Sequence, residues 1–158
     1  MTLHGLRPRL AAVAAVLALP LAVAACGSPT GVSRAEKAAL VRAEAQWAAQ
    51  GVSRYTLVVA PRCFCGGPRQ IRSTVVNGVA TQRVYVDDGS PVPGNLFVQV
   101  ATVGAMLAHL EQAIRDDVAA LDVTYDARGI PVDASIDYSK NIDDEEFGWA
   151  VVSFTPTP

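Results

Sequence analysis

Three cysteines, at positions 26, 63 and 65, offer most of the chemistry that this 158-residue sequence can carry. A thiolate can act as a nucleophile, a disulfide partner or a ligand for a soft metal ion, depending on its surroundings. Cys26 follows a long apolar segment, whereas Cys63 and Cys65 are separated by a single residue. The spacing therefore predicts two separate kinds of chemistry.

The segment before Cys26 has the pattern of an export signal. Two arginines precede residues 10–25, an uncharged apolar run that is shorter than the roughly 20 residues of a membrane-spanning helix. The run ends in two alanines and Cys26, which resembles the bacterial lipobox. In that motif the cysteine sulfur receives a diacylglycerol through a thioether, the preceding peptide is removed, and the new N-terminus is acylated. We expect a removed signal peptide over residues 1–25 and a lipidated Cys26 with a short tether over residues 26–32.

This covalent diacylglycerol and N-acyl lipid would be the only added group, since no cofactor is expected. Its acyl chains, at about 0.8 kcal/mol per buried methylene, would hold the exported protein on the cell membrane or the outer membrane. The alternative is an ordinary signal followed by a free or disulfide-bonded Cys26. Removal of residues 1–25 leaves 11 basic against 15 acidic residues, a net charge of −4, so a nucleic-acid partner is not expected.

Cys63 and Cys65 form an even pair in an oxidising compartment, which favours a disulfide. Closure across one residue requires a turn, which the glycines and proline of residues 66–68 permit. A redox-active pair, a thiolate site for a soft metal such as Cu(I), and free thiols are the alternatives.

Other titratable residues do not make a complete catalytic set. His109 is the only histidine after the signal and lies at the edge of an apolar helical stripe. Residues 143–146 are acidic but lack the ligand spacing and central glycine of a calcium loop, which favours a solvated loop. Asp122, Asp133 and Asp137 could act as paired carboxylates in acid–base catalysis. Their spacing is also explained without any catalysis, because polar residues alternate along a strand that has one face in solvent. We therefore do not expect an enzyme.

Two helices are predicted from their caps. Ser33 and Glu36 form a capping box that starts a helix over residues 34–50, with Gly51 as its end and Trp47 as its core anchor. Thr102 caps a second helix that ends at about residue 115. The apolar stripe of this second helix consists of Val103, Met106, Leu107, Leu110 and Ile114.

Six strands are predicted from alternation and turn residues. The first ends at Pro61, and Asn77-Gly78 is the strongest hairpin turn in the chain. We expect a mobile connection over residues 87–95 and an acidic loop over residues 140–148. The strands are expected at residues 55–60, 71–76, 79–86, 121–125, 130–138 and 149–154.

The order αβββαβββ predicts an α+β fold, in which an antiparallel sheet carries both helices on its apolar face. Residues 33–158 are expected to form this fold as a single globular domain. The repeated order of one helix and three strands would reflect a degenerate internal duplication if the two halves are related. Regular pairing across the hairpins places Arg72 and Arg83 on the opposite, polar face. The same face of the other half would carry Asp122, Asp133 and Asp137, so these five side chains are the candidate binding surface.

The chain resembles a family of bacterial lipoproteins whose domain has no assigned function. The resemblance covers most of the chain after the signal and rests on short motifs. They are the lipobox at Cys26, the Trp47 helix, Tyr55 before Cys63-Phe64-Cys65, Asn77-Gly78, Thr102-Val103, residues 125–131 and Ile136-Asp137. It implies the modification of Cys26 and no activity.

The sequence is compatible with three functions. The leading hypothesis is a membrane-anchored, non-catalytic module that binds a protein or polymer of the cell envelope. It would use the polar sheet face or the two loops over residues 87–95 and 140–148. The alternatives are an inhibitor of an exported hydrolase and a thiol-redox or copper-binding protein built on Cys63 and Cys65.

Overall fold

Two α-helices and a six-stranded antiparallel sheet give the α+β fold that the sequence predicts. A computed structural model describes residues 31–65, 69–142 and 144–158, so the expected signal peptide and Cys26 lie outside the described residues. Among the described residues, no helix has the length and apolar character needed to cross a membrane. The elements are α1 (Arg34–Gln50), β1 (Tyr55–Cys63), β2 (Ile71–Val76), β3 (Val79–Tyr85), a 3-10 helix (Val98–Val100), α2 (Val103–Arg115), β4 (Ala120–Tyr125), β5 (Pro131–Asp137) and β6 (Phe147–Pro156).

The sheet joins two three-stranded meanders in the order β3-β2-β1-β6-β5-β4. Each meander follows its own helix, as expected. At one end of the sheet β1 and β5 end while β4 and β6 begin. The Gly31 N–H donates to the Ala119 carbonyl just before β4, so the chain also enters the domain at this end. We call it the tether end, and we call the opposite end, with Asn77-Gly78, the turn end.

Both helices begin at the predicted caps. The Ser33 Oγ accepts a hydrogen bond from the Glu36 N–H at 3.2 Å, and the Ser33 N–H donates to the Glu36 carboxylate at 2.5 Å. Gly51 ends α1 in the left-handed region at φ 62°. The Thr102 Oγ1 accepts from the Ala105 N–H at 3.0 Å at the start of α2. The predicted helix bounds are therefore confirmed.

The core lies between the helices and one face of the sheet, which we call the covered face. α1 contributes Leu40 and Ala43 to the buried cluster, whereas α2 contributes five residues. The sheet contributes Leu57, Ile136 and Trp149, all with no exposed surface. Both helices thus pack on the same apolar face, as predicted. Ala113 is buried in place of Ile114, which is only partly buried.

The first strand is longer than predicted, because β1 continues through Pro61 to Cys63. Proline cannot donate to a ladder and is tolerated where a strand has a neighbour on one side only. β2 pairs with β1 only as far as Val59, and beyond that point β1 pairs with β6 alone. The end predicted at Pro61 is therefore wrong, and so is the late start of β6, which begins at Phe147.

A bulge changes the predicted register of the Asn77-Gly78 hairpin. Both turn residues have positive φ, 53° and 75°, as a type I′ turn requires. Starting from the turn, the two strands pair regularly as far as Val75 and Ala80. Beyond that pair the register shifts by one residue, so that Ser73 pairs with Arg83. A one-residue shift moves every later side chain to the other face. Arg83 therefore lies on the covered face and Val84 on the opposite one, contrary to the prediction.

The connection after β3, predicted to be mobile, is held against that strand. The Val92 N–H donates to the Arg83 carbonyl at 3.0 Å, and the Tyr85 N–H donates to the Ser90 carbonyl at 2.9 Å. Val92 is buried. The segment therefore shields the β3 edge, which would otherwise offer unpaired backbone groups.

Candidate functional site

The face of the sheet opposite the helices, which we call the uncovered face, collects the charged residues of the middle strands. The even-numbered residues of β1 point to this face, and Arg62 is one of them. In the ladder between β1 and β6, Arg62 pairs with Gly148. On the other side of β6, Gly148 pairs with Ser135 and Ala150 pairs with Asp133. The register therefore brings Arg62 and Asp133 to the same face across β6.

Arg62 links three strands through its guanidinium group. It donates to both carboxylate oxygens of Asp133, at 3.0 and 2.7 Å. It also donates to the carbonyls of Ala134 and Trp149, at 2.9 and 3.0 Å. The planar guanidinium suits this fork of acceptors, which a lysine could not reproduce. Asp133 is therefore already paired, and its charge is compensated within the fold.

Gly148 makes room for this arrangement. A Cβ on Gly148 would lie 2.4 Å from the Ala134 carbonyl oxygen and 3.4 Å from the Arg62 Nε. The first distance is too short for any side chain without a shift of the backbone of β5. Glycine is thus required where Arg62 crosses β6.

The sequence did not point to Arg62 because β1 was expected to end at residue 60, before Pro61. Alternation was nevertheless the available signal, since the even positions Thr56, Val58 and Ala60 already pointed away from the core. Continuing that pattern through Pro61 would have placed Arg62 on the uncovered face. The lesson is that a proline in a half-paired strand does not end it.

Asp122 and Asp137 form what we call the acidic patch, next to the Arg62–Asp133 pair. Asp122 faces the exposed Ser135, and Asp137 faces Ala120, so the two carboxylates share the uncovered face. As diagonal neighbours their α-carbons lie roughly 7–8 Å apart. The Asp137 carboxylate accepts a hydrogen bond from the Ser139 N–H at 3.0 Å. The arrangement presents two carboxylates on one face to a ligand.

The predicted arginine pair is not brought together. Arg72 is exposed on the uncovered face, about 14 Å (three strand spacings) from β5. Arg83 lies on the covered face, where it donates to the Leu96 carbonyl, while its Nε is buried without a partner among the described residues. Burial lowers the pKa of Arg83. Of the two arginines in the predicted binding surface, only Arg72 therefore lies on the uncovered face.

Cys63 and Cys65 are joined as a disulfide that encloses Phe64. Their α-carbons are 5.2 Å apart, within the range that a disulfide bridges. Cys63 packs partly against the core, whereas Cys65 is exposed and the Phe64 side chain is 81% exposed. The disulfide thus fixes an apolar side chain in water at the tether end.

His109 belongs to an aromatic cluster at the same end. Its Nε2 lies 2.9 Å from the Tyr138 hydroxyl, and its ring meets the Phe147 ring edge-on with centroids 5.6 Å apart. Burial lowers the pKa of His109 below its ordinary 6.5. In the described part of the chain, no group of three or more histidines, cysteines or carboxylates is suited to a metal ion. The geometry supports a packing role for His109.

Comparison with protein families gives a match to a family of unknown function, DUF6174, over residues 39–156. The matched region begins within α1 and ends at the last residue of β6, so it includes the whole sheet and α2. A comparison with curated proteins found no match.

Proposed function

Because the chain belongs to DUF6174, a family of unknown function, we propose its role from its own residues. The proposal is a membrane-anchored bacterial lipoprotein whose domain is a non-catalytic binding module of the cell envelope. The observation that carries it is that the helices cover one face of the sheet and leave the other open, with its charged side chains in ordered positions.

The anchor is supported by the sequence before the described residues. A basic start, an apolar run and Ala24-Ala25-Cys26 together have the order that lipoprotein export requires. A diacylglycerol and an N-acyl chain on Cys26 supply the two signals that stable anchoring takes. The protein would then reside on the outer surface of the cell membrane, or on the outer membrane where one exists.

Binding is assigned to the uncovered face. The Arg62–Asp133 pair holds β1, β6 and β5 together there without an apolar cover, and the acidic patch lies beside it. The two carboxylates of this patch, which form no ion pair with any residue that the structure describes, favour a partner that carries positive groups, such as a basic envelope protein or an amine-bearing polymer.

The anchor is tested by Cys26→Ser. The wild-type protein is expected to incorporate labelled palmitate and to sediment with membranes, whereas Cys26→Ser should do neither. Labelling of an unrelated lipoprotein in the same cells serves as the control. Unaltered membrane sedimentation of Cys26→Ser would remove the anchor from the proposal.

The binding surface is tested by photocrosslinking in intact cells. A photoreactive side chain at position 135, between Asp122 and Gly148 on the uncovered face, is expected to give one discrete product. The matched control is position 42 on α1, which is also exposed but on the other side of the molecule. Asp122→Asn together with Asp137→Asn should reduce the product. Equal products from both positions would contradict a specific site.

A second function, thiol redox, is favoured by one observation: Cys65 is exposed within a disulfide that spans a single residue. An exposed sulfur is accessible to an attacking thiol. Cys63→Ser with Cys65→Ser discriminates the two functions. A thiol-redox role requires that the wild-type protein exchange thiols with a small disulfide and that this variant fail to do so, whereas the binding module requires only that the variant keep the crosslink from position 135.

A further inference from the structure

We propose that the tether end of the sheet docks on the bilayer that holds the anchor, with Phe64 and Ile142 entering the boundary between headgroups and acyl chains. This inference rests on the proposed lipidation of Cys26. It adds an orientation: the strands would stand on the membrane and the uncovered face would point sideways, open to a partner.

The length of chain before the domain carries the first step. Gly31 is five positions after Cys26, and a fully extended chain spans at most about 3.6 Å per residue, or roughly 18 Å. Gly31 is bonded to Ala119 at the tether end, and the Val32 N–H donates to the Asp117 carboxylate. A lipidated Cys26 would therefore keep this end within one tether length of the bilayer surface.

The disulfide loop lies at the same end. Cys63 of β1 pairs with Phe147 at the start of β6, and β1 is three strand spacings from β4, about 14 Å. The loop and the entry point of the chain are thus closer to each other than the extended tether is long. One docked orientation can bring both to the membrane.

Exposed apolar side chains give the tether end something to insert. Phe64 is 81% exposed and Ile142 is 57% exposed, and Tyr138, directly after β5, is 37% exposed. The loop carrying Phe64 is short, closed by a disulfide, and joined to the core through Cys63. An aromatic ring held out in this way loses little further freedom on insertion, and an apolar body is suited to the interface.

Insertion of Phe64 alone contributes a modest affinity for the bilayer. Because the lipid anchor already holds the domain at the membrane, this affinity is enough to orient it. Burial of one large apolar side chain shifts an equilibrium by roughly 10- to 100-fold. For a free domain that would give little binding. A short tether holds the loop at an effective concentration of roughly millimolar, so the same gain can determine the orientation of an anchored domain.

Acidic residues at the tether end determine which lipids favour docking. Asp87 and Asp88 are both paired with Arg69, at 2.5 and 2.6 Å. Asp144 and Glu146 are exposed, and the exposed Lys140 of the same loop offsets only one of their charges. Their charge is repelled by anionic headgroups, and salt screens this repulsion over about 8 Å at physiological ionic strength. Docking should therefore be stronger on zwitterionic than on anionic vesicles, and added salt should strengthen it on anionic ones.

The test uses the full lipidated protein on phosphatidylcholine vesicles with brominated acyl chains, which quench tryptophan on contact. Phe64→Trp and Ile142→Trp are each expected to lose emission and shift to shorter wavelength, relative to the wild-type baseline from Trp47 and Trp149. Val79→Trp is the matched control, because Val79 is 64% exposed at the turn end. It should show neither change. Adding Phe64→Ala to Ile142→Trp should lower the docked-to-undocked ratio roughly 10-fold.

Sedimentation of the vesicles in the same samples separates this inference from the proposed function. Protein that sediments with vesicles while Phe64→Trp is unquenched would overturn the docking and leave the anchor intact. Equal quenching of Phe64→Trp and Val79→Trp would overturn the orientation in the same way. If the wild-type protein neither sediments nor carries lipid, the anchor and the docking both fall.

Discussion

The two faces of the sheet are stabilised by different interactions. On the covered face, Trp149, Leu57 and Ile136 have no exposed surface and pack beneath both helices. On the uncovered face, a single guanidinium spans three strands, with its own side chain 47% exposed. Apolar burial is not directional and scales with area, whereas a hydrogen-bonded arginine depends on the position of each acceptor.

This difference indicates where changes are tolerated. The covered face should lose much stability from any truncation, because a cavity is costly wherever it forms. The uncovered face should be sensitive at Arg62, Gly148 and the buried Val58, and tolerant at its exposed positions. A partner can therefore contact the acidic patch without disturbing the fold.

The largest expected effect is that of Trp149→Ala on the covered face. The indole is fully buried and its Nε1 donates to the Pro131 carbonyl at 2.9 Å, so truncation should cost about 3–5 kcal/mol of unfolding free energy. Urea unfolding measures it. Val152→Ala, at a half-exposed position of the same strand, is the control and should change stability by less than about 0.5 kcal/mol. Similar losses in both would show that burial beneath the helices does not make Trp149 more important than an exposed position of the same strand.

Gly148→Ala should give the largest loss on the uncovered face. Its Cβ would meet the Ala134 carbonyl oxygen at 2.4 Å, and relief requires a shift of backbone, with an expected cost of about 1–3 kcal/mol. The combination with Arg62→Ala shows which neighbour matters. The structure predicts no rescue, because the nearest obstacle is the backbone. Restored stability in the double variant would identify the arginine as the obstacle instead.

Arg62→Met should cost about 1–2 kcal/mol, since it removes the hydrogen bonds to two carbonyls as well as the ion pair. Asp133→Asn should cost less, because both side chains of the pair are about half exposed and solvent screens them. A double-mutant cycle is expected to give a coupling of about 0.2–1 kcal/mol. If the coupling equals the whole Arg62→Met effect, the carbonyl bonds contribute nothing.

A pH dependence is expected from His109, which packs beside Trp149. Burial lowers its pKa below 6.5 in the folded state, so as the pH falls below about 6.5 the unfolded chain takes up the proton first. Unfolding free energy should therefore decrease as the pH falls through that region. NMR titration of the imidazole should give a midpoint below 6.5, and His109→Gln should flatten the pH dependence. A midpoint above 6.5 would contradict the burial of this ring.

The smallest effect on stability should come from Asp122→Asn. The side chain is exposed at the edge strand, so the change should stay within about 0.5 kcal/mol. Circular dichroism melting would show it, and the crosslink from position 135 should decrease in the same variant. A large loss of stability would mean that the acidic patch is part of the structural framework.

Local signals were sufficient for the helices and turns. The Ser33 capping box, the Thr102 cap and Asn77-Gly78 act over three or four residues, and each appears at the predicted position. Strand bounds were predicted less well, and the end of β1 and both ends of β6 depended on which strand lay alongside. Neighbouring strands are far away in the sequence, so no local pattern identifies them.

The sequence by itself determined the α+β class, the helix ends and the apolar face of both helices and of β1, β2, β4 and β5, because caps and periodicity are properties of adjacent residues. Only the tertiary structure decided that β1 pairs with β6, that a bulge turns Arg83 towards the core, and that Arg62 reaches Asp133. The reason is physical. A one-residue shift in a ladder reverses the face of every later side chain, and whether the shift occurs depends on packing between segments distant in sequence.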